Sequence, residues 1–546
     1  MSPSFTAERL LFTPAVPHED ATPVVFAFPN EYTVGITSLG YQVIWAILAQ
    51  RADLAVSRLF TDLQDPLPPA PQLLGFSMSW ELDYNNILGL LESLSIPIWT
   101  TQREDDHPLV FGGGPVLTAN PEPFADFFDV VLLGDGEVVL EAFIDAYQTV
   151  RDCDRATKLR YLAQVPGVYV PSLYEPIYSA ADAPLLSVAP LDADIPAHLT
   201  KQTYRGNTLL TSAVVTKQAA WENIYMVEVV RSCPEMCRFC LASYLTLPFR
   251  AAPVEGALIP AVEQGLAVTD RLGLLGASVT QHPEFDALLD YLNTPKFDDV
   301  RLSIASVRTN TVNAKLTQTL TRHGTRSITV AIESGSDRLR RIVNKKLATD
   351  DIIAAAENAK AGGLSALKLY GMAGIPGETP EDLEATATLM QTLKKAAPGL
   401  RLTLGCSTFV PKAHTPFQWY GVNPQAEKRL KFLQKQLRSR GIDFRPESYN
   451  WSIIQALISR GDRRLSKLLV QARTYGDSLS SYKRAFKDLK GQIPPLDFYV
   501  HQEWPSDQPL PWDHIHGPLP KATLLKHRND ALQHFPESVL AAADKG

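Results

Sequence analysis

Short apolar runs, of the kind that form buried β-strands, alternate with helical patterns in two separate blocks of this chain. In the first block, which covers about 150 residues, the runs are VVFAF (24–28), LLGFSMS (73–79), IPIWT (96–100), PLVFGGG (108–114) and VVLLGDGE (130–137). Such alternation is typical of parallel sheets covered by helices, so this block predicts a doubly wound, Rossmann-like α/β domain. Ligands of these sheets bind beyond the carboxyl ends of the strands, where Ser77 and the loop 112–114 fall.

The second block begins near Tyr225 and contains six strand-like runs separated by helical segments. These runs are YMVEVV (225–230), GLLGASV (273–279), RLSIAS (301–306), SITVAIE (327–333), ALKLYGM (366–372) and RLTLGC (401–406). Six strands with helical crossovers predict a partial (β/α)6 barrel of the TIM type, whose functional groups gather at the carboxyl ends of the strands. We therefore predict an α/β domain over 1–165, a linker over 166–222, a barrel over 223–424, and a mainly helical region with a tail over 425–546.

Composition narrows the class of protein further. The 546 residues are 45% hydrophobic and 20% charged, which indicates a folded chain with sizeable cores and excludes a mostly disordered one. The sequence contains no apolar run of the roughly 20 residues that cross a bilayer, and its first residues lack the pattern of a secretory signal. We expect a cytoplasmic protein without a membrane partner.

Charge is distributed unevenly along the chain. Residues 1–200 hold 8 Lys and Arg against 26 Asp and Glu, so this part repels nucleic-acid phosphates. Residues 421–490 hold 16 basic against 6 acidic residues, and two interpretations stay open. They form helices with basic groups on their solvated faces, or they bind an RNA partner; no RNA-binding motif accompanies the charge.

Three of the five cysteines lie in the segment RSCPEMCRFC, directly after the strand 225–230. Cys233, Cys237 and Cys240 have the spacing C-x3-C-x2-C, and thiolates bind soft metals and iron–sulfur clusters. Three thiolates leave one iron of a [4Fe–4S] cluster open for a substrate or cofactor. A structural zinc site needs four ligands, and the spacing of His282 does not support it as the fourth.

This cysteine spacing, with Phe239 before the last cysteine, resembles the radical S-adenosylmethionine (SAM) superfamily. The resemblance implies that SAM binds the open iron and that one electron from the cluster cleaves it. The resulting 5′-deoxyadenosyl radical then abstracts hydrogen from a substrate. An external reductant such as flavodoxin or ferredoxin is implied as a partner.

The later strands resemble the SAM-binding elements of the family. GLLGAS (273–278) stands where the family has a Gly-rich turn, although it reads Gly-Ala-Ser where the family has Gly-Gly-Glu. VAIESGS (330–336) resembles the element whose glutamate contacts SAM, and LYGMAGIPGET (369–379) the element that packs on the adenine. The SAM contacts implied in this way are Gly276, Ser278, Ser303, Ser306, Glu333 and Ile375.

The first block resembles the cobalamin-binding-type domain that precedes the barrel in many radical SAM proteins. The segments WSIIQALISRGDRR (451–464) and LPWDHI (510–515), near the carboxyl terminus, also resemble those of an uncharacterised radical SAM subfamily. The resemblance to that subfamily therefore covers nearly the whole chain. Ser77, Gly112, Gly113 and Gly114 are the residues proposed to contact cobalamin, because small residues let a flat ligand approach the backbone. The Asp-x-His-x-x-G motif of many such domains is absent. Cobalamin then binds without a protein nitrogen, or the domain keeps the fold without the cofactor.

Several reactions fit these observations. A methylthiotransferase needs three further cysteines, whereas only Cys153 and Cys406 remain. With cobalamin, the leading hypothesis is methyl transfer to an unactivated carbon. The alternatives are cobalamin-independent radical modification of RNA or a metabolite, and a non-catalytic iron–sulfur protein. The sequence identifies neither the substrate nor the catalytic residues.

Overall fold

The amino-terminal block forms a six-stranded sheet in the computed structural model, which describes residues 5–206, 208–305, 307–476 and 478–537. The first seven strands are β1 (Glu8–Leu10), β2 (Thr22–Ala27), β3 (Leu54–Leu59), β4 (Leu73–Ser77), β5 (Leu109–Gly113), β6 (Val130–Leu132) and β7 (Val168–Tyr169), of which β2 to β7 form this sheet. The helices are α1 (Tyr32–Gly35), α2 (Leu39–Ala49), α3 (Tyr84–Ser93), α4 (Pro115–Ala119), α5 (Gly136–Val150) and α6 (Arg155–Leu162). The order is β3-β2-β4-β5-β6-β7, and every pair is parallel except β6–β7.

This order confirms the predicted doubly wound fold. Chain direction across the sheet reverses between β2 and β4, and ligands of such sheets bind at this reversal, beyond the carboxyl ends of the strands. Residues 96–100 form no strand, contrary to the prediction, because Pro97 has no N–H to pair and the chain enters a 3₁₀ helix at Thr100–Gln102. The edge strand β3 was not predicted; its Arg58 is buried in an ion pair with Glu8, with 2.8 Å between Nη1 and Oε2.

The segment 166–222 contains short strands that tie the larger parts together. After β7 come β8 (Tyr174–Tyr178), β9 (Leu185–Pro190), β10 (Leu199–Thr200) and β11 (Val214–Thr216). β8 and β9 form an antiparallel hairpin, and β11 pairs with β1 at the other end of the first block. The first sheet thus extends through β7, past the predicted boundary at 165.

The second block forms the predicted open barrel. Its strands are β12 (Tyr225–Arg231), β13 (Arg250–Ala251), β14 (Arg271–Gly276), β15 (Arg301–Ile304), β16 (Ser327–Glu333), β17 (Ala366–Ala373), β18 (Arg401–Thr408) and β19 (Asp443–Pro446). Its helices are α7 (Leu241–Tyr244), α8 (Ile259–Leu266), α9 (Phe285–Leu292), α10 (Ala314–Arg322), α11 (Asp337–Ile342), α12 (Thr349–Ala361), α13 (Pro380–Ala396) and α14 (Ala426–Ser439). The sheets β13-β12-β14-β15 and β16-β17-β18-β19 are joined by a parallel bridge between Val307 and Val330. All six predicted strands are present and parallel, and β19 adds a further parallel strand beyond residue 424.

The carboxyl-terminal helices pack on the first domain, and the one nearest the carboxyl terminus also contacts α11 of the barrel. They are α15 (Tyr449–Arg460), α16 (Leu465–Thr474), α17 (Leu479–Asp488), α18 (Leu496–Val500) and, after β20 (Ile515–His516), α19 (Lys521–Leu532). One apolar core joins Leu88 and Phe124 of the first domain to Leu457, Leu465 and Trp512, whereas the barrel has a separate core. The strand β20 pairs with β10, so the carboxyl-terminal tail also contacts the connecting segment 166–222.

Part of the basic charge of residues 421–490 is used inside the fold. Arg463 is bound to Glu122, with 3.1 Å between Nε and Oε2, and Arg473 is bound to Glu92 of α3. Arg460 is fully buried, and Arg464 pairs with Asp462. Among the described residues, no helix combines the length and apolar character that a membrane span requires.

Candidate functional site

The three cysteines lie in one loop, between the end of β12 and the short helix α7. The backbone of this loop turns sharply, with positive φ angles at Ser232 and Met236. Cys240 N donates to Cys237 O at 2.9 Å, and Cys233 N donates to Ala242 O at 3.1 Å. These two hydrogen bonds fix both ends of the loop. None of its three cysteines forms a disulfide, so all three thiols are available to bind a cluster.

Burial controls the chemistry of these thiols. It raises the pKa of Cys237 to about 12, and it raises the pKa of Cys240 as well. Bare thiolates are thus unfavourable here, and the charge of bound iron is what would keep them ionised. No group of three His, Cys, Asp or Glu side chains in the described ranges converges on a single metal ion. A cluster makes no such demand, because each thiolate binds a different iron.

The cysteine loop is held against the last residues of α11 and the turn that follows them. Arg238 Nη1 donates to the carbonyls of Arg341 and Ile342 at 2.8 and 2.7 Å, and Asn344 Nδ2 donates to Met236 O at 2.8 Å. These anchors are not evident from the sequence, because about 100 residues separate the partners. Their only local signal is the arginine inside the cysteine motif.

Glu333 ends β16 beside the cysteine loop. A bulge at Ala331/Glu333 and a positive φ of 63° turn its side chain away from the strand. Lys345 Nζ donates to Glu333 Oε1 at 2.7 Å, and both side chains are buried. Burial acts to lower the pKa of Lys345, but the carboxylate of Glu333 and the nearby Cys237 outweigh it and raise that pKa. Lys345 is a buried cation next to the cysteines that the sequence analysis missed.

The other residues that the resemblance links to SAM have varied surroundings. Gly276 lies at the end of β14 with φ of 153°, where a Cβ atom would approach Val230 O to 2.5 Å. Ser278 is buried and donates to Gln281 Oε1 at 2.5 Å. Ile375 is fully buried in a small core with Phe239, the residue before Cys240. Ser306 lies outside the described residues.

Ser303 belongs to the face of the barrel strands that the outer helices do not cover. It alternates with the buried Leu302, and the same alternation along β17 exposes Lys368 and Tyr370. Tyr370 is 56% exposed although it lies within a central strand. The interior of the barrel is therefore an open space with hydroxyl and ammonium groups on its wall.

A cavity of about 450 Å³ lies between the first sheet and the barrel. Its first wall is the carboxyl edge of the sheet at Phe76, Ser77, Gly113 and Gly114. The second wall comes from the barrel and includes Gly276, as well as Arg231 and Leu245, which flank the cysteine loop on either side. Three of the four sequence-predicted cobalamin residues, Ser77, Gly113 and Gly114, therefore meet the predicted SAM residue Gly276 at one cavity.

The three glycines 112–114 have different roles in the structure. A Cβ atom on Gly112 would lie 2.6 Å from the side chains of Leu117 and Phe128, so this glycine permits packing and does not line the cavity. Gly114 has φ of 116°, and a Cβ atom there would lie 2.4 Å from Met78 O. Gly113 lines the cavity, and its Cβ would have only ordinary contacts, 3.7 Å from Leu132.

Charged groups line the junction of the two domains in this cavity. Arg231 Nη2 donates to Glu137 Oε1 of α5 and to Glu228 Oε2 of β12, both at 2.7 Å. Arg250 Nη1 donates to Asp135 Oδ2 at 2.7 Å. These ion pairs join the amino end of α5 to β12 and β13, the strands before and after the cysteine loop.

A second cavity, of about 280 Å³, adjoins the first and shares Ser79 and Pro115 with it. Leu241, directly after Cys240, forms part of its wall. Its polar side holds the buried ion pair of Glu81 and Lys412, and Lys412 Nζ also donates to Ser459 Oγ at 3.0 Å. Burial acts to raise the pKa of Glu81, but the ammonium of Lys412 outweighs it and lowers that pKa.

Two family models match this chain. Residues 227–390 match the radical SAM superfamily, and residues 68–171 match the amino-terminal region of radical SAM proteins. The first match contains all three cysteines and Glu333. The second contains Ser77 and the loop 112–114.

The chain is also similar to individual proteins. It is 28% identical over 467 residues to the uncharacterised protein MJ0966 of Methanocaldococcus jannaschii, covering 84% of this chain and 94% of that protein. It is 25% identical over 307 residues to the uncharacterised methyltransferase PH0819 of Pyrococcus horikoshii, covering 53% and 59%. The fold is similar to TsrM of Kitasatospora setae, a radical SAM methyltransferase solved with cobalamin and a [4Fe–4S] cluster bound. That likeness has a TM-score of 0.50 and 12% identity, and covers 73% of this chain and 77% of that one.

Proposed function

This chain is a radical SAM enzyme, and from that premise we propose that it transfers a methyl group to a small substrate with the help of a corrin. Cys233, Cys237 and Cys240 would hold a [4Fe–4S] cluster, and Glu333 would contact SAM. When bound, the cluster and SAM supply a radical that abstracts hydrogen, and a corrin supplies a methyl carrier.

The observation that carries this proposal is the cavity between the two domains. One wall contains Gly113, where the absence of a side chain leaves the strand edge open to a ligand. The opposite wall contains residues on both sides of the cysteine loop. A flat, mostly apolar ligand in this cavity would lie at the sheet's ligand-binding edge and next to the cluster. A methyl carrier and a radical source must reach the same substrate atom, and this arrangement brings them together.

The smaller cavity is the proposed substrate site. It adjoins the large cavity at Ser79 and Pro115 and contacts the cysteine loop through Leu241. Its volume of about 280 Å³ fits a metabolite. Glu81, Lys412 and Ser459 would orient polar groups of that substrate, while the apolar walls exclude water.

A direct test uses the full chain, reconstituted without oxygen and supplied with hydroxocobalamin, SAM and dithionite. We expect about four irons and one corrin per chain, and formation of 5′-deoxyadenosine. The variant with Cys233→Ala, Cys237→Ala and Cys240→Ala should lose the cluster and the 5′-deoxyadenosine, whereas Cys153→Ala, on an exposed residue, should keep both. Four irons in the triple variant would contradict the cluster assignment.

The second candidate function is cobalamin-independent hydrogen abstraction from a metabolite. The observation in its favour is the absence of the Asp-x-His-x-x-G motif; the first 150 residues contain only His18 and His107 as histidines. Wild-type protein that forms 5′-deoxyadenosine but stays free of corrin would support this candidate over methyl transfer. A reductant such as flavodoxin or ferredoxin is proposed as a partner in either case.

A further inference from the structure

The large cavity contains one buried cation whose charge the fold does not use. Lys201 lines the cavity and is only 7% exposed. Its Nζ donates to Thr203 Oγ1 at 2.9 Å, and in the described part of the chain no carboxylate lies within 4.0 Å of it. An ammonium has three protons to donate, so this contact leaves two of them for a ligand.

The other charged groups on this wall already have partners. Asp135 is bound by Arg250, and Glu137 and Glu228 are bound by Arg231. Burying an ammonium without a counter-ion is costly, and here burial lowers the pKa of Lys201 although Asp135 opposes it. A site of this kind gains stability when an anion enters it.

The backbone around Lys201 is fixed before any ligand arrives. Gln202 N donates to Leu133 O at 2.9 Å, and Asp135 N donates to Gln202 O at 3.0 Å. On the other side, β10 pairs with β20 of the tail. The amino end of the 15-residue helix α5 lies on the same wall at Gly136, and its dipole also favours an anion.

We propose that Lys201 binds the phosphodiester of the cobalamin nucleotide loop and so orients the corrin in the cavity. This inference rests on the proposed function, because it takes a corrin as the occupant. The side chains of the corrin ring are neutral amides, and the nucleotide loop carries the single anionic group on the periphery of cobalamin. Lys201 is therefore a positioning residue for the cofactor and takes no part in the chemical step.

The test compares two corrins and two variants by equilibrium dialysis of the full, reconstituted chain. Hydroxocobalamin has the phosphodiester, whereas aquacobinamide has the same ring without it. We expect Lys201→Gln to weaken hydroxocobalamin binding about 10- to 100-fold, the usual effect of a charge-assisted contact, and to leave aquacobinamide binding unchanged. Lys217→Gln, on an exposed lysine of the same connecting segment, should change neither.

The other outcomes contradict the inference, and they distinguish a wrong role for Lys201 from a wrong cofactor. If Lys201→Gln weakens both corrins equally, or neither, Lys201 does not bind the phosphodiester, although the cavity still binds a corrin. If the wild-type protein binds neither corrin, the proposed cofactor is wrong and this inference fails with it. Cluster absorbance, measured in each variant, shows whether the fold is intact.

Discussion

Single residues decide whether the cavity between the domains can accept a flat ligand. Gly113 is the informative position, because its Cβ would have room in the protein but would project into space that a ligand needs. We expect Gly113→Leu to lower corrin occupancy severalfold and to leave the cluster content unchanged. Gly256→Leu is the matched control: a Cβ atom on Gly256 would likewise have only ordinary contact, 3.7 Å from Pro253, and Gly256 lies outside the cavity. Equal corrin content in Gly113→Leu and wild type would place the ligand elsewhere.

Glu333 is tested by a change that removes charge and keeps size. We expect Glu333→Gln to weaken SAM binding at least tenfold, because the variant loses a carboxylate beside the cysteines and leaves Lys345 buried without its partner. Equilibrium dialysis with SAM measures this effect, and iron content shows whether the cluster is retained. Unchanged SAM affinity and 5′-deoxyadenosine yield would refute the assignment.

Two buried histidines make the stability of the fold dependent on pH. Burial lowers the pKa of His414 and of His514 from 6.5 to about 4. Below pH 6.5 these two imidazoles become protonated in the unfolded chain but stay neutral in the folded chain. The free energy of unfolding therefore decreases as the pH falls from 6.5 towards 4. At pH 5 the loss is roughly 2 kcal/mol for each histidine. Urea unfolding at pH 7 and pH 5 measures it, and the double variant His414→Gln, His514→Gln should show a smaller difference between the two values.

At the scale of elements, the strands and the cysteine loop follow from local sequence, because a buried parallel strand is a continuous apolar run. Val24 and Val25 are both buried in β2, as such a run requires. The edge strand β3 escaped prediction because its Ser57 and Arg58 interrupt the apolar pattern, and Arg58 becomes buried only through Glu8, fifty positions away. Arg238 was missed for a related reason, because its partners Arg341 and Ile342 are about 100 positions away. Lys345 was missed because nothing in the local sequence shows that the loop after α11 returns its side chain to Glu333.

The cysteines outside the loop belong to elements that cannot build a second cluster. Cys406 is buried in β18, and Cys153 is exposed after α5. We expect the double variant Cys153→Ala, Cys406→Ala to keep the iron content of the wild type, about four atoms per chain. Iron near eight per wild-type chain, falling to four in the variant, would contradict this expectation.

At the scale of the whole molecule, the helices α15 to α18 share one apolar core with the first domain. The sequence predicted these helices but not their partner, because an amphipathic helix does not specify which surface covers it. Arg463 joins the two parts: it binds Glu122 and donates to Tyr169 Oη at 2.6 Å. Removing it leaves a carboxylate that is 1% exposed without its cation.

Arg463→Ala should therefore destabilise the protein by about 3–5 kcal/mol. The control is Arg473→Ala, which breaks a more exposed pair with Glu92 between the same two parts and should cost less than about 1 kcal/mol. Thermal unfolding of the two variants measures the difference. Similar effects would show that burial of the Glu122 pair is not what holds the parts together.

The position of α19 determines when, during translation, the surroundings of the cysteine loop can be completed. Arg338, which follows Glu333 in the barrel, donates to His534 O at 3.2 Å, and Tyr244 Oη is 2.8 Å from His527 Nδ1. Phe535 packs in the same small core as Phe239, the residue beside Cys240. The ribosome thus completes the surroundings of the cysteine loop only long after the cysteines themselves have emerged. A nascent chain without α19 offers iron an unfinished binding site, so we expect the cluster to be delivered after translation, once α19 has reached its place.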